Sequence, residues 1–188
     1  ILLAMIAGFI FLRLRGILGK RTGFEGKGPS QLKEVLKSVN QVKPKKINEN
    51  FDEEAKKEFL KGAKIAYETV ITDFSDNDNK ITTSKPLLNG KIFNQFNQAL
   101  KERSSRGHFA EITFIGVNSA KIKEHKKIGK ILNVTVDFIA EVITCIRDKD
   151  KKIVSGDPEK IKKIYDTWVF SRDTTSVNPN WQLVNILT

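Results

Sequence analysis

The apolar residues of this chain change their spacing near His108, and that change limits the folds open to the sequence. Before His108 they recur every three or four positions, which is the spacing of one face of an α-helix. After it, apolar and polar residues alternate, which is typical of a half-buried strand. Helices followed by antiparallel strands predict an α+β fold, with the helices packed on one face of a curved sheet.

The longer predicted helix begins near Asn50 or Asp52, either of which can cap it. Gly62 lies inside it, where glycine costs about 1 kcal/mol relative to alanine, so we expect another element to approach Gly62 closely. Its apolar face is a continuous stripe at helical spacing: Phe51, Ala55, Phe59, Ala63, Tyr67, Val70 and Phe74. A second helix is predicted from Ile92 to Arg106, with Gly107 as its stop.

The residues after His108 predict antiparallel strands joined by short turns. In ILNVTVDFIAEV, residues 131–142, the even-numbered side chains are apolar and Asp137 points to the other face. The run is long enough to need a bend or a bulge. FAEITFIGVN, residues 109–118, is a less regular strand, KDKK at 149–152 predicts a turn, and GDP at 156–158 predicts an irregular break.

Two tryptophans mark a predicted hairpin near the end of the sequence. Trp168 and Phe170 share one face of a strand, Trp181 and Leu183 share one face of the next, and RDTTSVNPN, residues 172–180, connects them. We therefore expect both tryptophans to face the concave side of the sheet, with the helical stripe closing that side.

The positive charge is concentrated ahead of this domain. Residues 13–50 hold ten Lys and Arg against three Asp and Glu, a net charge of +7 out of +11 for the chain. Residues 1–12, ILLAMIAGFIFL, are uncharged and precede the cations, the reverse of the order in a secretory signal. We interpret residues 1–15 as an apolar membrane segment whose start has been cut away, because its twelve uncharged residues, 1–12, would as a helix cover only about 18 Å of a bilayer core about 30 Å thick. A short buried helix is the alternative.

Residues 16–49 predict a basic linker, and residues 50–188 the α+β domain. The linker is glycine-rich at first, and its Ser30–Val39 stretch is an amphipathic helix that either lies on a membrane or docks on the domain. By the positive-inside rule the cations hold the domain on the cytoplasmic side, and anionic lipid adds about 1 kcal/mol per nearby cation. The predicted membrane-binding residues are Phe9, Phe11, Arg13, Arg15, Lys20, Arg21, Lys33, Lys37, Lys43, Lys45 and Lys46.

The sequence offers no catalytic or metal-binding arrangement. His108 adjoins a glycine and His125 lies in the lysine cluster KIKEHKKIGK, so both are expected in solvent. Paired-histidine metal spacing and a nucleophile elbow are both missing from the sequence. We therefore predict a protein that is not an enzyme and needs no cofactor, and we expect the single cysteine, Cys145, to be a buried apolar residue.

Six segments in order carry a family resemblance: FDEEAKKEFLKGAKIAYETVITDF, KPLLNGKIFNQFNQAL, VTVDFIAEV, GDP, DTWVFSRD and NPNWQLV. They resemble the Tim44-like family, which comprises the C-terminal domain of subunit 44 of the mitochondrial inner-membrane translocase and alphaproteobacterial membrane-anchored relatives. The resemblance covers roughly residues 50–188, and LRLR and GKRTG before it also resemble the bacterial relatives. It implies a cone-shaped nuclear-transport-factor-like fold with an apolar pocket, here preceded by a membrane-associated helical tail.

The resemblance also implies a function, a location and candidate site residues. It implies a scaffold at an inner membrane, on the cytoplasmic or matrix-equivalent side, that serves protein translocation or membrane-protein biogenesis. Its partners are then an anionic phospholipid membrane and a translocase, chaperone or other biogenesis protein, with no specific nucleic acid. A carrier of an apolar ligand such as a lipid and a ribosome-to-membrane tether are the alternatives. The expected pocket residues are Phe59, Phe93, Phe96, Val134, Val136, Phe138, Trp168, Phe170 and Trp181, and the expected structural hairpin residues are Arg172, Asp173, Pro179 and Asn180.

Overall fold

A computed structural model describes residues 51–75, 80–178 and 180–187 of the chain. Two helices come first, α1 (Glu53–Ser75) and α2 (Gly90–Ser105), with a 3-10 turn (Lys85–Leu87) before α2. Four strands follow: β1 (Phe109–Ile128), β2 (Ile131–Arg147), β3 (Ile153–Asp173) and β4 (Gln182–Leu187). They form one antiparallel sheet in the order β1-β2-β3-β4, so the predicted α+β architecture is confirmed.

Helix α1 begins as the sequence predicts. The side-chain Oδ1 of Asp52 accepts a hydrogen bond of 2.9 Å from the backbone N–H of Ala55, which satisfies one of the free donors of the first turn. The prediction for Gly62 is wrong. Gly62 is exposed, and a Cβ placed there would meet nothing within 4 Å, because this residue lies on the helix face turned away from the sheet.

Helix α2 starts two residues earlier than its apolar pattern predicts. Asn89 caps it, accepting a 2.9 Å hydrogen bond from the N–H of Ile92, so the helix includes Gly90 and Lys91. The helix ends at Ser105, one residue before the predicted Arg106. Gly107 follows with φ of +67°, a backbone conformation that favours glycine and ends the helix.

Strand β2 lies inside the sheet, between β1 and β3, and Tyr67 of α1 stacks on its Phe138. Its inward side chains are no more than 6% exposed: Leu132, Val134, Val136, Phe138, Ala140 and Val142. The predicted irregularity lies in the partner strand, since the β1 register shifts between Phe114 and Gly116 and at two further points. Bulges of this kind increase the local twist of a sheet.

The GDP segment does not end a strand. Strand β3 continues through it, with a register shift on β2 between Ile143 and Thr144 that leaves residues 158–160 unpaired with β2. Gly156 permits this course: its φ is +87°, and a Cβ there would lie 2.3 Å from the carbonyl oxygen of Thr144. The predicted turn after β2 is present at Asp148–Lys152.

Aromatic side chains of α1 close the concave face of the sheet. Tyr67 stacks on Phe138 with ring centroids 4.4 Å apart and lies 4.6 Å from Trp168. Phe59 contacts Phe170 at 5.7 Å and Trp181 at 4.6 Å. Within the part of the chain that the structure describes, no helix has the length and apolar character needed to cross a bilayer.

Candidate functional site

A crevice remains between the C-terminal half of α1 and the sheet. Its volume is about 60 Å³. An engineered apolar cavity of about 150 Å³ binds a benzene molecule, so this smaller crevice admits only a small group as it stands. Its walls are almost entirely apolar and come from both helices and all four strands: Val70, Ile71, Phe74, Phe96, Ile112, Val142, Thr144, Ile164, Asp166, Trp168 and Ile186.

Two polar side chains interrupt these apolar walls. The Asp166 carboxylate accepts a 2.5 Å hydrogen bond from the hydroxyl of Tyr67, which is fully buried. Burial, followed by the charge and the hydrogen bond of Asp166, raises the pKa of Tyr67 far above its usual range, so the phenol stays neutral and donates. The Thr144 hydroxyl is buried and has no hydrogen-bond partner among the described residues. The crevice therefore offers a hydroxyl and a carboxylate to a small, mostly apolar group.

All nine predicted pocket residues lie in the hydrophobic core, and seven of them are buried. Phe93 and Trp181 are partly buried against the same core. Only Phe96 and Trp168 line the crevice, whereas the other seven belong to the core or pack against it elsewhere. That these residues hold a ligand stays a prediction. Thr144 continues the even-numbered inward pattern of β2 by two residues, so extending that pattern would have found it.

The hairpin residues hold the loop after β3 through two kinds of contact. Asp173 accepts hydrogen bonds from the N–H and the hydroxyl of Thr175, at 2.8 and 2.7 Å, and these bonds lower the pKa of Asp173. The guanidinium of Arg172 lies 5.0 Å above the ring of Trp181, and partial burial lowers the pKa of Arg172. The N–H of Asn180 donates to Asn178 Oδ1 at 3.0 Å, whereas Pro179 lies outside the described residues.

The predicted membrane-binding residues, from Phe9 to Lys46, also lie outside the described residues. The structure does fix where that part of the chain joins the domain. The ring of Phe51 lies 5.2 Å from His125 of β1, 5.7 Å from Phe59 and 6.0 Å from Trp181. The preceding segment therefore enters beside the distal part of the β1–β2 hairpin.

The other candidate chemical groups are placed as follows. His125 is exposed and His108 is half-buried at the start of the sheet, whereas Cys145 is buried with 2% exposure. Among the described residues, no three His, Cys, Asp or Glu side chains are grouped so that they could hold a metal ion.

Comparisons with known proteins point to one family. The sequence model of the Tim44-like domain matches residues 39–188. A Caenorhabditis elegans protein described as "Probable mitochondrial import inner membrane translocase subunit tin-44" is 25% identical over 177 residues, which is 92% of this chain. The chain spans only 39% of that relative's length.

Solved structures of other proteins are also similar to this chain. The crystal structure of the intermembrane space region of the chloroplast protein ARC6 aligns with 69% of this chain and 96% of its own, with a TM-score of 0.40 and 13% sequence identity. That score is too low to define a shared fold.

Proposed function

Because the chain belongs to the Tim44-like domain family, we propose that it is a membrane-tethered adaptor, not an enzyme, for protein translocation or membrane-protein biogenesis. The name of the C. elegans relative refers to an import translocase of the mitochondrial inner membrane. This supports an inner-membrane location for the chain, with its domain on the cytoplasmic or matrix-equivalent side. A translocase subunit, a chaperone or another biogenesis protein is the proposed partner.

The observation that carries the proposal is the filling of the concave face. Val134, Val136 and Phe138 are at most 1% exposed because Tyr67 and its neighbours on α1 cover them. A buried aromatic layer of this kind stabilises the domain but leaves little room for a substrate. The outer surface is then the part of the domain available to a partner.

That outer surface includes exposed apolar side chains on the face of the sheet away from α1. Ile161 and Tyr165 on β3 are 53% and 50% exposed, and they pair with Ile143 and Ile139 of β2. Lys163 and Glu141 lie between these two pairs, 3.7 Å apart. Exposed apolar side chains that lie side by side on one face of a sheet are a feature of protein interaction sites.

A lipid carrier is the second candidate function. The apolar walls of the crevice support it, but the small volume of the crevice does not. A cone-shaped, nuclear-transport-factor-like domain with an apolar pocket would place its ligand there, with the Thr144 hydroxyl as its hydrogen-bond partner. A volume of about 60 Å³ does not accommodate an acyl chain, so a carrier would have to open between α1 and the sheet. The adaptor needs no such opening.

Crosslinking in native membranes tests the adaptor proposal. A photoreactive amino acid replaces Tyr165 on the outer face, and the control carries it at exposed Lys101 of α2. We expect position 165 to crosslink to a membrane protein of the transport or biogenesis machinery, and the control not to. Crosslinks dominated by ribosomal proteins would replace the adaptor with a ribosome tether. Lipid extracted in equimolar amount from the purified chain would favour the carrier.

A further inference from the structure

The distal part of the β1–β2 hairpin is strongly basic. We call residues 121–131 the hairpin tip; this segment holds five lysines against the single acid Glu124. Every residue from Lys123 to Ile131 is exposed. The lysines are Lys121, Lys123, Lys126, Lys127 and Lys130. A charge this dense on a projecting hairpin attracts anions over about a Debye length, which is about 8 Å at physiological ionic strength.

Exposed apolar side chains lie among these lysines. Ile128 is 59% exposed and pairs with Ile131, which is 38% exposed. Val177, in the loop after β3, is 95% exposed. That loop is fastened to the hairpin tip, because the N–H and the hydroxyl of Thr174 both donate to the carbonyl oxygen of Lys130, at 2.8 and 3.0 Å.

An anionic bilayer can bind both the lysines and the exposed apolar side chains of this surface. Lipid phosphates neutralise the lysines, and the branched apolar side chains enter the boundary between headgroups and acyl chains. The phosphates of a nucleic acid would bind the lysines, but Ile128 and Val177 would remain exposed to water. The combination of charge and exposed apolar side chains therefore favours lipid over nucleic acid.

The point at which the chain enters the domain gives independent support. Phe51 contacts His125, which lies within the hairpin tip and pairs with Val134 of β2. The segment before Phe51 contains the uncharged residues 1–12 and ten Lys and Arg. The segment that is proposed to bind the bilayer therefore joins the domain at its hairpin-tip end, while the turn at 148–152 lies at the opposite end of the sheet.

We propose that the hairpin tip and the loop carrying Val177 form a second membrane contact, which docks the folded domain on an anionic bilayer. This inference rests on the proposed membrane tether and adds the orientation of the domain to it. The tether recruits the chain, and the hairpin tip sets which end faces the lipid. The outer face of β3 then stays open to a protein partner.

A fluorescent probe sensitive to polarity tests the contact in the full 188-residue chain. The probe is attached to Ile128→Cys or Val177→Cys, with Val154→Cys as the matched control. Val154 is 49% exposed at the opposite end, and native Cys145 is buried and stays unlabelled. With vesicles of phosphatidylcholine and cardiolipin, we expect a blue shift at positions 128 and 177 and none at 154.

Charge removal supplies the second measurement. At about a fivefold loss per lysine, Lys126→Gln/Lys127→Gln/Lys130→Gln weakens binding to the anionic vesicles on the order of 100-fold. The control removes the same charge at the opposite end, through Lys101→Gln/Lys149→Gln/Lys152→Gln, and binds as the unmodified chain does.

The outcomes separate this inference from the tether itself. If the chain sediments with the vesicles but the probes at 128 and 177 do not shift, the tether survives and the hairpin-tip contact is wrong. If the chain does not bind vesicles at all, both fail. If single-stranded RNA changes the probe signal at 128 and vesicles do not, the surface is a nucleic-acid site and the inference is overturned.

Discussion

Where α1 covers the β1–β2 hairpin, a region that we call its base, Val136 and Phe138 of β2 are 0% and 1% exposed beneath Tyr67, whereas Ile128 and Ile131 at the tip are 59% and 38% exposed. The two regions belong to the same pair of strands and both contain branched apolar side chains. They differ in what covers them: α1 lies over the base, and lysines surround the tip. The base is part of the hydrophobic core because α1 covers it. The tip projects beyond α1, so its side chains remain available to bind a membrane.

The largest effect is expected at the base. Trp168 is 2% exposed and contacts both Tyr67 and Phe138, so Trp168→Ala loses buried area and leaves a cavity. We expect a loss of about 3 to 5 kcal/mol in the free energy of unfolding, measured by denaturant titration. Ile161→Ala on the outer face of the same strand, where the side chain is 53% exposed, is the control and should change stability by about 0.5 kcal/mol. Equal effects would remove the distinction between the two faces of β3.

Two glycines, Gly156 in β3 and Gly62 in α1, allow the same comparison between a packed and an uncovered position of the backbone. Gly156→Ala should destabilise the domain by about 2 kcal/mol or more, because Gly156 has a φ of +87° and a Cβ would lie 2.3 Å from the Thr144 oxygen. Gly62→Ala should stabilise it by about 0.5 to 1 kcal/mol, because nothing lies within 4 Å of that helical position. Thermal melts of both variants measure the difference. Destabilisation by Gly62→Ala would mean that another element does approach α1 there.

The buried phenol predicts how stability depends on pH. Burial raises the pKa of Tyr67, so its folded pKa lies above the unfolded value of about 10. Its contribution to stability is complete below about pH 10 and is lost as the pH rises above that value. In a Tyr165→Phe variant, Tyr67 is the one remaining tyrosine, and the phenolate absorbance should appear only when the protein unfolds in alkali. Phenolate in a folded protein would contradict the burial of Tyr67.

The smallest effect is expected at the hairpin tip. The triple variant Lys126→Gln/Lys127→Gln/Lys130→Gln should change the free energy of unfolding by no more than about 0.5 kcal/mol, because these side chains are exposed and no ion pair is formed by them within the described residues. The melting temperature without lipid is the measurement. A large drop would make the hairpin tip part of the fold.

Local periodicity predicted the helices, the strands and the buried tryptophan, because a half-covered element must place its apolar side chains at regular spacing. It could not predict the hydrogen bond between Tyr67 and Asp166, whose partners are 99 residues apart and meet only through the packing of α1 on β3. The prediction for Gly62 is wrong because close approach of another element is one of several reasons for a glycine inside a helix. Exposure of Ile128 depends on where α1 begins over the sheet, and sequence spacing does not carry that information.

Hydrogen–deuterium exchange of the full chain, with and without vesicles containing cardiolipin, tests most directly the claim that the packed base supports a membrane-facing tip. We predict slower exchange on lipid binding at residues 123–131 and 174–178, and unchanged exchange at the turn at 148–152 and along α1. Slower exchange along α1 and at Trp168, with no change at the hairpin tip, would contradict the account. It would place the lipid in the crevice under α1 instead.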